Sequence, residues 1–237
     1  MNRPPKKTQA RQLSLDLMVK PRFGLEDFLV GPSNETAYEM VAVWPDWPDR
    51  FLILAGPEGS GKSHLAAIWA EESSATTVPA GEFNQHDPAQ LVDCRNLVIE
   101  DVDGTAIDET RLFHLMNLVR EREAHLLMTA RAKPDAWGIR TPDLLSRLRL
   151  APFAEIAPPD DALLRALIVK QFLDRQIIID TSVVEYVLAR IERSFAGVAR
   201  IVAALDAEAL SLGRRITRAV AAKVLERLDE AGTSTSF

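Results

Sequence analysis

One eight-residue stretch limits the folds open to this chain more than any other. Gly56-Pro57-Glu58-Gly59-Ser60-Gly61-Lys62-Ser63 satisfies G-x-x-x-x-G-K-[ST] at every fixed position. Directly before it, Phe51-Leu52-Ile53-Leu54-Ala55 is an unbroken apolar run, the pattern of a parallel strand buried on both faces. Directly after it, Ser63 to Glu72 reads as a helix. A glycine-rich loop in that setting turns its backbone N–H groups inward around an anion, where side chains would collide. The helix behind it aims its N-terminal dipole at the same point. Lys62 then offers a point charge to the outer phosphates of a nucleotide, and the Ser63 hydroxyl offers a ligand to Mg²⁺. The competing reading is a glycine-rich turn that matches by chance, and the strand and helix on either side argue against it. ADP or ATP with Mg is the expected cofactor.

The rest of the first two thirds repeats the strand–helix alternation. Asn96-Leu97-Val98-Ile99, His125 to Thr129 and Phe153 to Ile156 read as further strands. Ser33 to Val43, capped by Ser33 or Asn34 and stopped at Trp44-Pro45, and Thr110 to Glu123 read as helices. Strands alternating with helices imply a three-layer α/β fold around a parallel sheet. After Pro158-Pro159 the character changes. Asp160 to Arg175, Ser182 to Arg193, Phe195 to Leu212 and Thr217 to Glu230 are helical stretches with no strand between them, and Ser182 and Glu185 have capping-box spacing. The expected organisation is a tail over 1–21, an α/β domain over 22–158 and a small all-helical domain over 159–237.

Composition narrows the function classes. The chain has a net charge of -6, which disfavours coating DNA by phosphate neutralisation. Arg3, Lys6, Lys7 and Arg11 form a basic N-terminal patch without an acid, read as a solvated, disordered tail rather than a DNA clamp. A single cysteine, Cys94, excludes an internal disulfide framework and suits a reducing compartment; its place before a buried strand predicts a small packing residue. No apolar run is long enough for a bilayer and no signal-peptide stretch opens the chain, so a cytoplasmic protein without membrane partners is expected.

Further chemistry is expected where the strands end. Glu100 and Asp101 close the Leu97–Ile99 run, so they emerge at the same sheet edge as the loop. One can hold the magnesium shell, Glu100 through water, and the other can polarise an attacking water. A plain acidic turn with Asp103 and Gly104 is the alternative. Thr129, at the end of the next strand, can orient water or a γ-phosphate, or simply hydrogen-bond the strand end. Arg147 and Arg200 read on their own as surface charges. As functional groups, they would be a finger toward a neighbour's phosphates and a lid arginine, respectively.

Several of these segments together resemble the AAA+ domain of the bacterial initiator DnaA. They are Phe28-Leu29-Val30-Gly31-Pro32-Ser33-Asn34, Gly56 to His64-Leu65, Leu97 to Asp101, Ser146-Arg147-Leu148 and Gly197-Val198-Ala199-Arg200. The resemblance runs from about residue 22 onward. It implies a P-loop AAA+ domain followed by a helical lid, with Phe28, Val30 and Gly31 lining the adenine pocket and His64 continuing the nucleotide-binding stretch. DnaA continues past its lid into a DNA-reading helix-turn-helix domain, whereas this sequence stops at Phe237, so no sequence-specific DNA reading is expected. At the other end, Gln12-Leu13-Ser14-Leu15-Asp16-Leu17 looks like the peptide that docks into the groove of the replication sliding clamp, the beta subunit of DNA polymerase III. Gln12 would bond at the pocket rim, and Leu13, Leu15 and Leu17 belong to the docking segment, with Leu15 and Leu17 filling apolar subsites.

With both features, the chain resembles the Hda-type, DnaA-related negative regulators of replication initiation. In that family a clamp-bound, ADP-carrying regulator turns an arginine toward ATP held by DnaA. The resemblance implies that Arg147 is the finger and Arg200 the nucleotide-sensing lid arginine, with the DnaA AAA+ domain as partner. Glu100 stands where that family more usually has Asp, and Ala130 where another polar residue is frequent. Both departures point to an activator of a partner's ATPase rather than an efficient ATPase. The alternative is a self-sufficient AAA+ ATPase of helicase-loader type acting on single-stranded DNA; it calls for a basic stripe, and none is evident. An initiator is disfavoured by the missing DNA-reading domain. Head-to-tail association, a homodimer included, is open to such a fold. Trp44 and Trp47 could serve that interface, but core packing beside Pro45 and Pro48 is the expected role.

Overall fold

The alternation of buried side chains along the first strand decides the architecture. All of β1 (Phe51–Ala55) is buried, yet its residues divide between two cores: Phe51 and Ile53 join one cluster, Leu52 and Leu54 another. A strand with two dry faces must be covered on both sides. The structure, a computed structural model, describes residues 28–104, 106–213 and 215–233. The expected clamp peptide at 12–17 and the basic tail lie outside the described residues.

Along the chain, α1 (Glu35–Ala42) precedes β1, and α2 (Lys62–Ser73) leads to β2 (Thr76–Pro79). The short α3 (Ala80–Phe83) and α4 (Pro88–Val92) precede β3 (Asn96–Glu100), and α5 (Glu109–Glu121) precedes β4 (His125–Ala130). A 3-10 turn, Pro134–Ala136, and α6 (Pro142–Leu150) then lead into β5 (Phe153–Glu155). The five strands are all parallel, in the order β2-β3-β4-β1-β5. One face of the sheet carries Leu112, Leu115 and Met116 of α5, Leu144 and Leu148 of α6, and Phe83. The other carries Ala37 and Val41 of α1, Leu65, Ile68 and Trp69 of α2, Phe28 and Trp47. The expected three layers around a parallel sheet are therefore present.

The final helices, α7 (Asp161–Asp174), α8 (Thr181–Leu188), α9 (Phe195–Leu212) and α10 (Arg218–Thr233), gather a separate core around Phe172, Val187, Val202 and Leu205. The starts of α7 and α9 are set by a carboxylate and a hydroxyl, each taking an otherwise orphaned backbone N–H. Asp160 accepts from Leu163 N at 2.7 Å, and Ser194 Oγ accepts from Gly197 N at 2.9 Å.

Some expectations are corrected. β2 escaped the sequence reading because it is a short edge strand in which only Val78 is buried, so it leaves no apolar run. The Ser182/Glu185 capping box does not form. Asp180 caps α8 instead, accepting from Ser182 N at 2.7 Å, and Glu185 pairs with Arg165. Cys94 is exposed rather than packed. It lies in the tight turn between α4 and β3, where Asn96 N bonds back to Cys94 O at 2.7 Å and Arg95 takes φ 62.

Trp44 and Trp47 pack within the chain. Trp47 stacks on Trp69 at 5.0 Å between ring centroids, and His125 meets Trp47 edge-on at 5.7 Å and Trp44 at 6.0 Å. Burial among these indoles lowers the His125 pKa from its ordinary 6.5, and the neighbouring Arg50 cation lowers it further, against a bond to the Pro45 backbone. Arg50 Nη1 lies 3.1 Å from His125 Nε2, the geometry of a neutral imidazole acceptor. A depressed histidine favours the fold fully above pH 6.5, and that contribution is lost as pH falls below this value toward the folded-state pKa. Chemical denaturation followed by tryptophan fluorescence should show wild type losing stability faster than His125→Gln as pH falls below 6.5. Parallel curves would remove His125 as the cause.

Candidate nucleotide-binding site

Strand order brings the expected groups together. β3, β4 and β1 are neighbours, with Leu54 opposite Thr129, Ala55 opposite Ala130, and Ile99 opposite Met128. Their carboxyl ends therefore deliver Glu100 and Asp101, Thr129 and the glycine loop to one edge, the crevice where ligands of open α/β sheets bind. Gly56 N–H donates to Ala130 O at 3.2 Å, carrying the β1–β4 ladder one residue into the loop.

The loop has no room for larger residues at its start. A Cβ on Gly56 would lie 2.3 Å from Ile156 O, and Gly59 takes φ 71, a left-handed conformation. Pro57 and Glu58 are exposed, whereas Ser60 is buried and its Oγ has no hydrogen-bond partner among the described residues. Gly61, at φ 101, precedes α2, and Ser63 stands exposed in the helix's first turn. Lys62 is buried and turned in, donating from Nζ to Gly56 O at 2.7 Å and Pro57 O at 2.9 Å. Burial lowers its pKa from 10.5; Asp101, Asp103 and Glu58 oppose that fall, and Arg131 adds to it.

Thr129 is fully buried, and its Oγ1 accepts the Asp101 N–H at 3.0 Å. The bond fixes the turn after β3, where Asp101 adopts φ 55 and its carbonyl accepts Gly104 N–H at 2.9 Å. Asp103 performs a similar service for the next strand exit, accepting from Arg131 N at 2.7 Å and Ala132 N at 3.0 Å. Among the described residues, no group of three or more His, Cys, Asp or Glu side chains forms a metal cage. Mg²⁺ commonly takes one or two protein ligands and completes its shell with water and phosphate oxygens. The exposed Ser63 hydroxyl and the strand-end acids suit that mode. The inward lysine, the partnerless Ser60 hydroxyl and the glycine cradle fit a nucleotide's phosphates.

Phe28 borders the side of the loop helix. It stacks on Tyr38 at 5.7 Å and meets His64 edge-on at 5.4 Å. Val30 is 44% exposed. Asn34, buried, fixes this turn by accepting Gly31 N–H at 2.8 Å and donating to Leu29 O at 3.0 Å. A Cβ on Gly31 would touch Leu163 of α7 at 3.4 Å, so the segment and the helical part meet here. They meet again at the loop. Phe195 N–H donates to Gly59 O at 2.9 Å, a Cβ on Gly59 would be 2.7 Å from Ser194 Cβ, and one on Gly61 would be 3.5 Å from the Phe195 ring.

The two expected arginines behave differently. Arg200, exposed on α9, pairs with Glu192 at 3.0 Å. Arg147 is held by α5: its guanidinium lies 4.2 Å from the Phe113 ring centroid and bonds the Asn117 side chain. α6 ends where the chain enters β5, whose first residue, Phe153, lies opposite Ile53 in the middle of β1, and Pro152 O accepts Ile53 N–H at 2.9 Å. Arg147 lies in the last turn of α6, the helix that leads into β5. The sequence reading missed Ser194, Phe195, Asp103 as a backbone acceptor, and Arg131. No motif marks any of the four.

No protein-family model matches the chain. It is similar to the chromosomal replication initiator protein DnaA of Campylobacter curvus, 23% identical over 234 residues, which cover 89% of this chain and 54% of that protein. The chain thus spans about half the length of this curated relative. In structure it is similar to domain III of the replication initiation protein DnaA from Thermotoga maritima (TM-score 0.74, 19% identity, 87% of this chain and 97% of that one). It is also similar to AMPPCP-bound DnaA from Aquifex aeolicus (TM-score 0.70, 18% identity, 92% of this chain and 71% of that one).

The Asp101–Thr129 bond is open to test. Thr129→Val keeps the shape but strands the Asp101 N–H, a loss of about 1–3 kcal/mol. Denaturant melts should record that loss, and Thr129→Ser should restore most of it. Hydrogen exchange at the Asp101 amide should quicken in the valine variant alone.

Proposed function

We propose that this chain is a DnaA-related, nucleotide-binding regulator that restrains chromosomal replication initiation by promoting ATP hydrolysis on DnaA. The convergence of the loop, Lys62, the strand-end acids and Thr129 on one sheet edge carries the reading. In it, residues 22–158 form the nucleotide-binding domain and 159–237 the lid, in a cytoplasmic protein. Gly56 to Ser63 cradle the phosphates of ADP or ATP, and Ser63 with Glu100, through water, holds Mg²⁺. Phe28, Val30, Gly31 and His64 border the base, and Arg200 leaves Glu192 to approach the phosphates from the lid.

Arg147 is the group that acts on DnaA. Support comes from how it is held: the stacking on Phe113 and the bond to Asn117, both on α5, pre-orient it. A pre-oriented guanidinium stabilises charge that develops on a partner's phosphates without reorganising. The bound nucleotide of this chain then serves to hold the domain in shape. The segment 12–17, with Gln12, Leu13, Leu15 and Leu17, tethers the regulator to the polymerase III sliding clamp.

The test is ATP turnover by ATP-loaded DnaA on clamp-loaded DNA, with this chain as wild type, Arg147→Lys, Lys62→Ala or Leu15→Ala/Leu17→Ala. Wild type should accelerate hydrolysis, and Arg147→Lys should lose nearly all of that effect while still binding the clamp. Arginine fingers contribute on the order of 10³–10⁵ in rate. The leucine variant should lose clamp binding and stimulation together. Unchanged DnaA turnover, with ATP hydrolysed by this chain alone and stimulated by single-stranded DNA, would replace the regulator with a loader-type motor.

A further inference from the structure

One cation at the loop has no role in the scheme above. Arg131 follows Ala130, whose carbonyl receives the Gly56 N–H, so the exit of β4 and the first loop residue are hydrogen-bonded neighbours. The Arg131 backbone is fixed by the Asp103 carboxylate. Its side chain is not similarly held: it is 61% exposed and reaches Glu58 only at 3.7 Å, and that carboxylate is itself 86% exposed. A long ion pair between two exposed side chains contributes little to stability. Its orientation is still informative. Glu58 belongs to the glycine loop, so the guanidinium is already turned toward the place where the loop would hold an anion.

We propose that Arg131 is a second phosphate-contacting cation of this site, exchanging Glu58 for the phosphate end of a bound nucleotide. The proposal rests on the nucleotide-binding reading above. Lys62 acts as a point charge at the base of the loop, already bonded to two loop carbonyls. A planar guanidinium at the rim adds what an ammonium lacks, a fork that meets two phosphate oxygens at once. Without an anion between them, the two cations repel, and Arg131 contributes to holding the Lys62 pKa down. A polyphosphate relieves that repulsion, and Mg²⁺ offsets the carboxylates nearby. Glu58 is then a competitor: it occupies Arg131 when no phosphate is bound, and its removal favours binding.

The measurement is calorimetric titration of the full chain with ADP and with AMPPCP in Mg²⁺ buffer. Arg131→Ala should weaken both ligands about tenfold or more, the loss of a charge-assisted contact. Arg131→Lys should recover part of it. Glu58→Gln should tighten binding several-fold, and that gain should vanish in the Glu58→Gln/Arg131→Ala double variant. Ligand-free melts of these surface variants should match wild type, which separates binding from folding. If wild type binds and Arg131→Ala binds equally well, Arg131 has no such contact. If wild type binds neither nucleotide, the site reading itself falls, and this proposal falls with it.

Discussion

The hydrogen-bonded pairing of β1 with β4 is the constraint on which the rest of this molecule depends. It is the centre of the sheet, with β3 beyond β4 and β5 beyond β1, and its ladder runs on through Gly56 N to Ala130 O. Because the loop is continuous with a central strand, its first residue inherits the rigidity of the core. The same pairing sets Thr129 beside Leu54, and Thr129 in turn orders the acid-bearing turn after β3. The chemistry of the edge is therefore a by-product of register. A one-residue slip would move the threonine to the other face and leave the turn without its acceptor.

The site balances charge rather than accumulating one sign. Lys62 and Arg131 stand among Asp101, Asp103 and Glu58, so neither an anion nor a metal ion alone is well matched to it. A divalent cation bound together with a phosphate chain satisfies both sets of groups, which agrees with the lack of a protein-only metal cage among the described residues. Asp103 spends one oxygen on two backbone N–H groups, an architectural use of a carboxylate that the sequence alone does not distinguish from a metal ligand.

Legibility in the sequence followed local strength of signal. β1, the loop and α2 were readable because few folds other than a P-loop domain put an apolar run, three glycines and a lysine at that spacing. The central strands were readable from their apolar runs alone, and β2 was not, because an edge strand with one buried residue needs no apolar pattern. Caps were partly readable. Asp160 opens its helix where the helical stretch was expected to begin, but at α8 the expected cap was Ser182, and Asp180, two residues ahead of it, took the position. Cys94 was misjudged because nearness to a buried strand in sequence says nothing about a turn that faces solvent. The residues that join the helical part to the loop were illegible: Ser194 and Phe195 act through a backbone N–H and a close approach, and nearly any residue type supplies a backbone N–H.

That last contact has a thermodynamic meaning. The Phe195 N–H to Gly59 O bond makes the position of α9 and the conformation of the phosphate loop two readings of one equilibrium. Linkage is reciprocal: whatever factor a ligand in the loop applies to the grip on α9, a force or partner on the helical bundle applies to the ligand's affinity. Nothing need travel through the sheet for this to happen, since the helical part touches the loop directly, at Phe195 and Ser194. A protein so built has its glycine loop addressable from the outside, through a bundle whose core is independent of the one beneath the loop.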